Sequence, residues 1–269
     1  MKKGLLKKIC SGLVISAMSI SLIGCGGSSE EKDKLDVIKD NGKVVVGLSA
    51  DYAPYEFHAM IDGKDEIVGF DVELAKEIAK DLGVELEFKE MEFESLLAAL
   101  KADKIDMIIS GMNPDEKRKK QIDFSDIYYE SRHGVLVKAE DVDKYNTVDD
   151  LSGKNIGAQL GSTQQEIAET EVEAGNLQLL ANVNNLILEL KTGKVDALIT
   201  EEPVAKMALE NNPELALSAI SFDAEGGGNA VGIAKGSPKL VEAVNKTIKR
   251  LQESGELDQF IIDAYNLAA

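Results

Sequence analysis

Two periods of apolar spacing take turns along this chain. Lys43-Val44-Val45-Val46-Gly47-Leu48 is a short apolar run suited to a buried strand. From Asp71, the residues Val72, Ala75, Ile78, Ala79 and Leu82 recur on one helical face, with Asp71 as the expected cap and Gly83 as the stop. Val84, Leu86 and Phe88 then alternate with charged residues, the period of a strand. A second helical stretch carrying Leu96, Leu97 and Leu100 leads into the apolar run 105–109. Strand and helix signals that alternate in this way predict an α/β protein with mainly parallel sheets.

One phrase of this pattern occurs twice. Leu96 to Gly111 (LLAALKADKIDMIISG) aligns without a gap to Leu186 to Glu201 (LILELKTGKVDALITE), matching Leu100 with Leu190, Asp106 with Asp196 and Ile109 with Ile199. Any helix, tight turn and buried strand share some of this likeness. A second correspondence supports two lobes on one plan: a strand end at Ser110 leads to a helix near Pro114, and a strand ending at Gln159 leads to a helix at Gly161-Ser162-Thr163.

The first residues follow neither period. Lys2, Lys3, Lys7 and Lys8 precede an apolar stretch from about Ile9 to Ile23, and no acidic residue occurs before Glu30. That is the pattern of a signal peptide, too short and too interrupted by Ser and Gly for the roughly 20 residues of a spanning helix. Leu22-Ile23-Gly24-Cys25 resembles a lipobox, so Cys25 is expected to carry a thioether-linked lipid and palmitate. Cys10 falls in the discarded peptide, which leaves no thiol for redox chemistry or metal binding. The polar stretch after Cys25 reads as a flexible tether. With the four signal lysines removed, the net charge of −18 becomes −22, a surface that repels nucleic acid and anionic lipid.

Candidate chemistry sits at the strand ends. Asn113-Pro114 is expected to cap and start a helix, and Arg118 one turn later can lean back beside the free amides to make a carboxylate site. Thr163 and Glu166 form a capping-box pattern whose amides could meet the same anion. Simple capping with a surface arginine accounts for the same residues. His58 and His133 read as loop or hinge residues, and there is no H-E-x-x-H, G-x-S-x-G or phosphate loop.

Several phrases taken in order resemble the polar amino acid receptors of ABC importers. They are Ala50-Asp51-Tyr52-Ala53-Pro54-Tyr55-Glu56-Phe57, Val68-Gly69-Phe70-Asp71-Val72, Ile109-Ser110-Gly111-Met112-Asn113 with Glu116-Lys117-Arg118, and Ile122-Asp123-Phe124-Ser125. Gln159-Leu160-Gly161-Ser162-Thr163 and Thr200-Glu201-Glu202-Pro203 complete the series. The resemblance covers Leu35 to Leu267 and implies a type II periplasmic binding protein-like fold, two α/β lobes joined by two hinge strands. It further implies that Arg118 meets the ligand carboxylate with the amides of Asn113 and Thr163. The ammonium would meet the Gly111 carbonyl and Glu201, where relatives often have Asp; neighbouring Glu202 is the alternative. Ser110, Ser162 and Gln159 would add polar contacts, and Tyr52 and Phe93 would flank the ligand side chain.

The expected organisation is a signal peptide over 1–24, a lipidated Cys and tether over 25–36, lobe 1 over 37–130 and 228–269, and lobe 2 over 133–222. Hinges are expected near 130–132 and 222–228. Asp51 and Asp71 are candidates for side-chain selectivity, which would favour a cationic ligand, although Asp71 also reads as a helix cap and Asp51 as a solvated residue. Ser49 stands where histidine-binding relatives have Asp. The expectation is therefore a basic amino acid (arginine or lysine) or a glutamine-like one, captured by hinge closure and passed to ABC permease subunits. The chain would act as a monomer held by its lipid on the extracytoplasmic side, at the outer face of the cytoplasmic membrane or in the periplasm, with no cofactor, metal or nucleic acid. The alternative is an enzyme similar to cyclohexadienyl dehydratases, which share this fold and use a pocket acid.

Overall fold

A computed structural model describes residues 32–268; Cys25, the signal peptide and most of the tether lie outside the described residues. The first helix, α1 (Lys34–Asn41), begins inside the span expected as tether. Asp33 stops the tether there: its side chain accepts from the Leu35 amide at 3.0 Å and from the Lys239 amide at 2.9 Å, tying the start of the fold to its C-terminal part. Among the described residues no helix is long and apolar enough to cross a membrane.

Lobe 1 continues through β1 (Lys43–Leu48), β2 (Asp51–Tyr52), β3 (Glu56–Ile61), β4 (Lys64–Val68) and α2 (Phe70–Leu82). It then adds β5 (Glu85–Glu90), α3 (Phe93–Lys101), β6 (Met107–Ile108), α4 (Glu116–Lys119) and β7 (Asp123–Tyr129). The chain crosses at residues 130–131 into lobe 2. That lobe holds β8 (Arg132–Lys138), β9 (Asn155–Gln159), α5 (Thr163–Thr170), β10 (Asn176–Leu180), α6 (Val183–Thr192), β11 (Ala197–Glu201), α7 (Glu202–Asn211) and β12 (Leu215–Asp223). A second crossing over 224–228 returns it to lobe 1 through β13 (Asn229–Ile233), α8 (Pro238–Ser254) and α9 (Glu256–Ala268).

The two five-stranded sheets run β5-β1-β6-β13-β7 and β10-β9-β11-β8-β12. In each, the first three strands pair in parallel and the last two pairings are antiparallel. Four of the five strands therefore run one way, as expected of mainly parallel sheets, and only β13 in lobe 1 and β8 in lobe 2 run against them. The two exceptions have one cause: β8 and β13 bring the chain into a lobe from the other one and so run against the βα strands, whereas β7 and β12 leave their lobes running with them. A separate sheet β2-β3-β4 flanks lobe 1.

Burial follows the periods of the sequence. Val135 and Val137 on β8 enter one core of lobe 2, while Leu136 between them enters the other, as alternation along a strand covered on both faces requires. In lobe 1, Phe70, Leu74 and Ile78 of α2 pack with Val44, Val46 and Val231 of the sheet and with Val244, Ile248 and Leu251 of α8. Gly83, at φ 71°, ends α2 in the left-handed conformation.

Candidate functional site

The loops at the strand ends of both lobes converge between the two sheets. Asn113, just beyond β6, sits at the centre of their hydrogen bonds. Its side-chain amide donates to Glu201 Oε1 and to the Gly228 carbonyl, both at 3.0 Å. Its side-chain oxygen accepts from the Thr163 hydroxyl at 2.8 Å, and its backbone carbonyl accepts from Arg118 Nη1 at 2.8 Å. One residue of lobe 1 thus links a cation, a carboxylate and a hydroxyl, two of them contributed by lobe 2.

The helix carrying Arg118 starts later than Asn113-Pro114 suggests. Asp115 is the cap of α4, accepting from the Arg118 amide at 2.7 Å, which frees Asn113 for the contacts above. Asp115 also pairs with Arg118 Nε at 3.0 Å, and Arg118 Nη2 donates to the Gly161 carbonyl at 3.0 Å. The guanidinium lies 5.5 Å from the Phe93 ring centroid, within cation–π range. Burial lowers the arginine pKa while Asp115 opposes the shift, and the group stays charged. Three of its five N–H groups are engaged within the protein, leaving two for a planar anion.

At the other end of the cluster Glu201 is fully buried and receives three donors from lobe 1. These are the Tyr55 hydroxyl on Oε2, and Asn113 and Asn229 on Oε1, the latter at 3.0 Å. Burial raises its pKa and these donors pull it back down. Glu202 starts α7, and its carboxylate pairs with Lys206 at 3.1 Å outside the cluster. Tyr52 spans the lobes: its hydroxyl accepts from the Glu201 amide and from Gln164 Nε2, each at 3.3 Å, and lies 3.4 Å from Thr200 Oγ1.

Other expected site residues are placed differently. Ser162, not Thr163, caps α5; its hydroxyl accepts from the Gln165 amide and donates to the Gln159 carbonyl. The Thr163-Glu166 capping box does not form, because Thr163 bonds Asn113 across the cleft and Glu166 pairs with Lys117. The Gln159 side chain turns to the Ala181 carbonyl at 3.0 Å within lobe 2. Asp71 does not cap α2, whose cap position is Gly69. It is fully buried behind Gly111 and accepts from the Gly111 amide at 2.8 Å and the Tyr128 hydroxyl at 2.9 Å. Ser110 accepts from the Ser49 amide at 3.0 Å and donates to Glu56. Asp51 is buried rather than solvated: it accepts from the Ser49 hydroxyl and, across the cleft, from the Val183 amide at the start of α6 at 2.7 Å. Desolvation pushes its pKa up to about 6.

Sequence reasoning did not single out Tyr55, Gln164, Asn229 or His133 for this cluster. Tyr55 meets residues 146 and 174 positions away, so no local spacing could reveal it. His133 lies in β8 and His58 in β3, neither in a loop. His133 is fully buried, and its Nδ1 accepts from Gln164 Nε2 at 3.2 Å. Burial, helped by the charge of Arg118, lowers its pKa to about 4, so it is neutral. Among the described residues no group of acids, His and Cys has the makings of a metal site.

A cation with free donors, a caged carboxylate and the two aromatic residues Tyr52 and Phe93 of lobe 1 suit a small zwitterion. The model of the bacterial extracellular solute-binding proteins, family 3, matches residues 44–266. An arginine-binding extracellular protein of Bacillus subtilis is 38% identical over 94% of this chain and 96% of its own. The glutamine-binding protein of an ABC transporter of the same organism is 34% identical over 94% of this chain and 96% of its own. A crystal structure of an amino acid ABC transporter substrate-binding protein from Streptococcus pneumoniae, bound to L-arginine, superposes with a TM-score of 0.84. It is 46% identical, covering 87% of this chain and 98% of that one.

Proposed function

This chain belongs to the bacterial extracellular solute-binding proteins, family 3, and from that premise we propose that it is the amino acid receptor of an ABC importer. It captures a polar L-amino acid between its lobes and delivers it to permease subunits. Arg118 and the amides of Asn113 and Thr163 take the ligand carboxylate; the Gly111 carbonyl and Glu201 take the ammonium. Ser110 and Ser162 add polar contacts. Tyr52 and Phe93 flank the side chain. The observation that carries this reading is the single bridge by which Asn113 joins Arg118 to Glu201.

A basic ligand, arginine or lysine, is favoured over a glutamine-like one. Glu201 and Asp51 are buried carboxylates of the cleft with no cation paired to either among the described residues, whereas Arg118 already has Asp115 beside it. The excess negative potential attracts a cationic side chain. The L-arginine in the pneumococcal structure points the same way. A lipid on Cys25 would hold the receptor at the extracytoplasmic face near its permease, and metabolic palmitate labelling that disappears in Cys25→Ser tests that part.

The test of the receptor reading is a thermal-shift screen of the chain against the twenty amino acids. Selective binding at a hundredfold excess over Kd adds about 2.7 kcal/mol of stability. A rise confined to arginine, lysine or glutamine supports the reading, and a flat screen contradicts it. Saturating ligand should also compact the protein in small-angle scattering by hinge closure.

A further inference from the structure

Behind the strand end that carries Ser110 and Gly111 lie two carboxyl groups buried completely, Glu56 on β3 and Asp71 on α2. Each uses one oxygen on that strand end: Glu56 Oε1 accepts from the Ser110 hydroxyl, and Asp71 Oδ2 accepts from the Gly111 amide at 2.8 Å. Their other oxygens, Glu56 Oε2 and Asp71 Oδ1, are buried with no hydrogen-bond partner, and the two carboxyls lie near enough to shift each other's titration.

Two ionised carboxylates side by side and out of water would repel, with three donors and, among the described residues, no paired cation to offset their lost hydration. One proton between them turns two orphaned acceptors into a donor and an acceptor. Asp71 has the better anion site, with the Gly111 amide and the Tyr128 hydroxyl on one oxygen, whereas Glu56 has only the Ser110 hydroxyl. We propose that Glu56 holds a proton at neutral pH and donates it to Asp71, and that the pair so formed positions Ser110 and Gly111 for the ligand ammonium. Its effect on binding rests on the receptor reading; the shared proton does not.

The titratable groups facing the pair are Asp51 and Tyr52 on β2, Tyr128 on β7 and Glu201 on β11. The carboxylates Asp51 and Glu201 oppose a second ionisation by their charge, whereas the phenols stay neutral and Tyr128 supports the Asp71 anion as a donor. Burial and Asp71 hold the Glu56 carboxyl far above the ordinary range. Because the folded state then binds a proton that the unfolded chain releases, the pair's contribution to stability is full below the usual glutamate range and declines as pH rises above it.

Carboxyl carbon NMR of the ligand-free chain, labelled at glutamate, tests the proton. One resonance that keeps the shift of a protonated acid at neutral pH, and that vanishes in Glu56→Gln, is expected. All glutamates ionised at neutral pH would overturn the proposal. Calorimetry with L-arginine then tests positioning. Glu56→Gln, whose amide can still donate to Asp71, should bind within about twofold of the parent, and Glu56→Ala should lose about tenfold or more. Glu56→Gln should also remove part of the decline in stability with rising pH, which a purely space-filling role would leave in place. Equal losses in both variants would refute the positioning role, and should Glu56→Ala fail to fold, the Gln variant and the NMR titration decide. If the parent binds no amino acid, the receptor reading fails while the titration still decides the shared proton.

Discussion

Asp106 and Asp196 do the same work in opposite lobes. Asp106 Oδ2 accepts from the Val45 amide at 2.8 Å, and Asp196 Oδ2 accepts from the Asn155 amide at 2.8 Å. The backbone amides of the same aspartates donate back to the Val45 and Asn155 carbonyls, each at 2.7 Å. Each carboxylate thus fastens the start of the third βα strand of its lobe to the first, which explains why both copies of the phrase carry an Asp immediately before the strand.

Replacing either aspartate with Ala should leave a partly buried amide without its partner and cost about 1–3 kcal/mol. The two sites share no partner, so the double variant should lose close to the sum. Urea unfolding of the two single variants and the double variant checks this, and a double loss far below the sum would mean the lobes do not use the residues alike.

Asp51 and His133 give opposing pH dependences over one window. Asp51 has its pKa raised from 3.8 to about 6, so its share of stability is present in acid and is lost as pH rises through about 6. His133 has its pKa lowered from 6.5 to about 4, so its share is present at neutral pH and is lost as pH falls toward 4. In Asp51→Asn, which can still accept from the Val183 amide, stability relative to the parent should improve by up to ~3 kcal/mol between about pH 4 and 7. Denaturant unfolding across that range measures it, and a pH-independent difference would contradict the assignment.

Gly228 is where the two interlobe crossings touch. At its φ of 153° a Cβ would lie 2.1 Å from the Tyr129 carbonyl oxygen and 2.9 Å from the Glu130 Cα. Gly228→Ala must push the crossings apart, and it disturbs the Gly228 carbonyl that Asn113 uses. A loss of about 2 kcal/mol or more in stability is expected, with weakened ligand binding by calorimetry. Parent-like stability and affinity together would rule out this close packing.

Much of this was legible in the sequence wherever one period or one short spacing carries the information. The apolar face of α2, its stop at Gly83 and the repeated phrase are of that kind. Helix starts were misread when a local cap rule competed with a distant partner. Asp71 left its cap role for Gly111 and Tyr128, and Thr163 left its capping box for Asn113. Asn113 itself reads as a cap, yet Asp115 two residues later takes the helix and releases it. The donors around Glu201 were illegible for a different reason. Tyr55 reaches it from the turn between β2 and β3 and Asn229 from the return crossing of the chain, and the packing of distant segments is not written in any local pattern.

The most direct measurement is calorimetry of L-arginine, of agmatine, which lacks the carboxylate, and of L-arginine with Arg118→Ala. If the cleft grips a zwitterion between Arg118 and Glu201, arginine binds the parent, agmatine binds far more weakly, and Arg118→Ala loses roughly 2–5 kcal/mol of affinity while remaining folded. Equal binding of arginine and agmatine, or unchanged arginine affinity in Arg118→Ala, would contradict it.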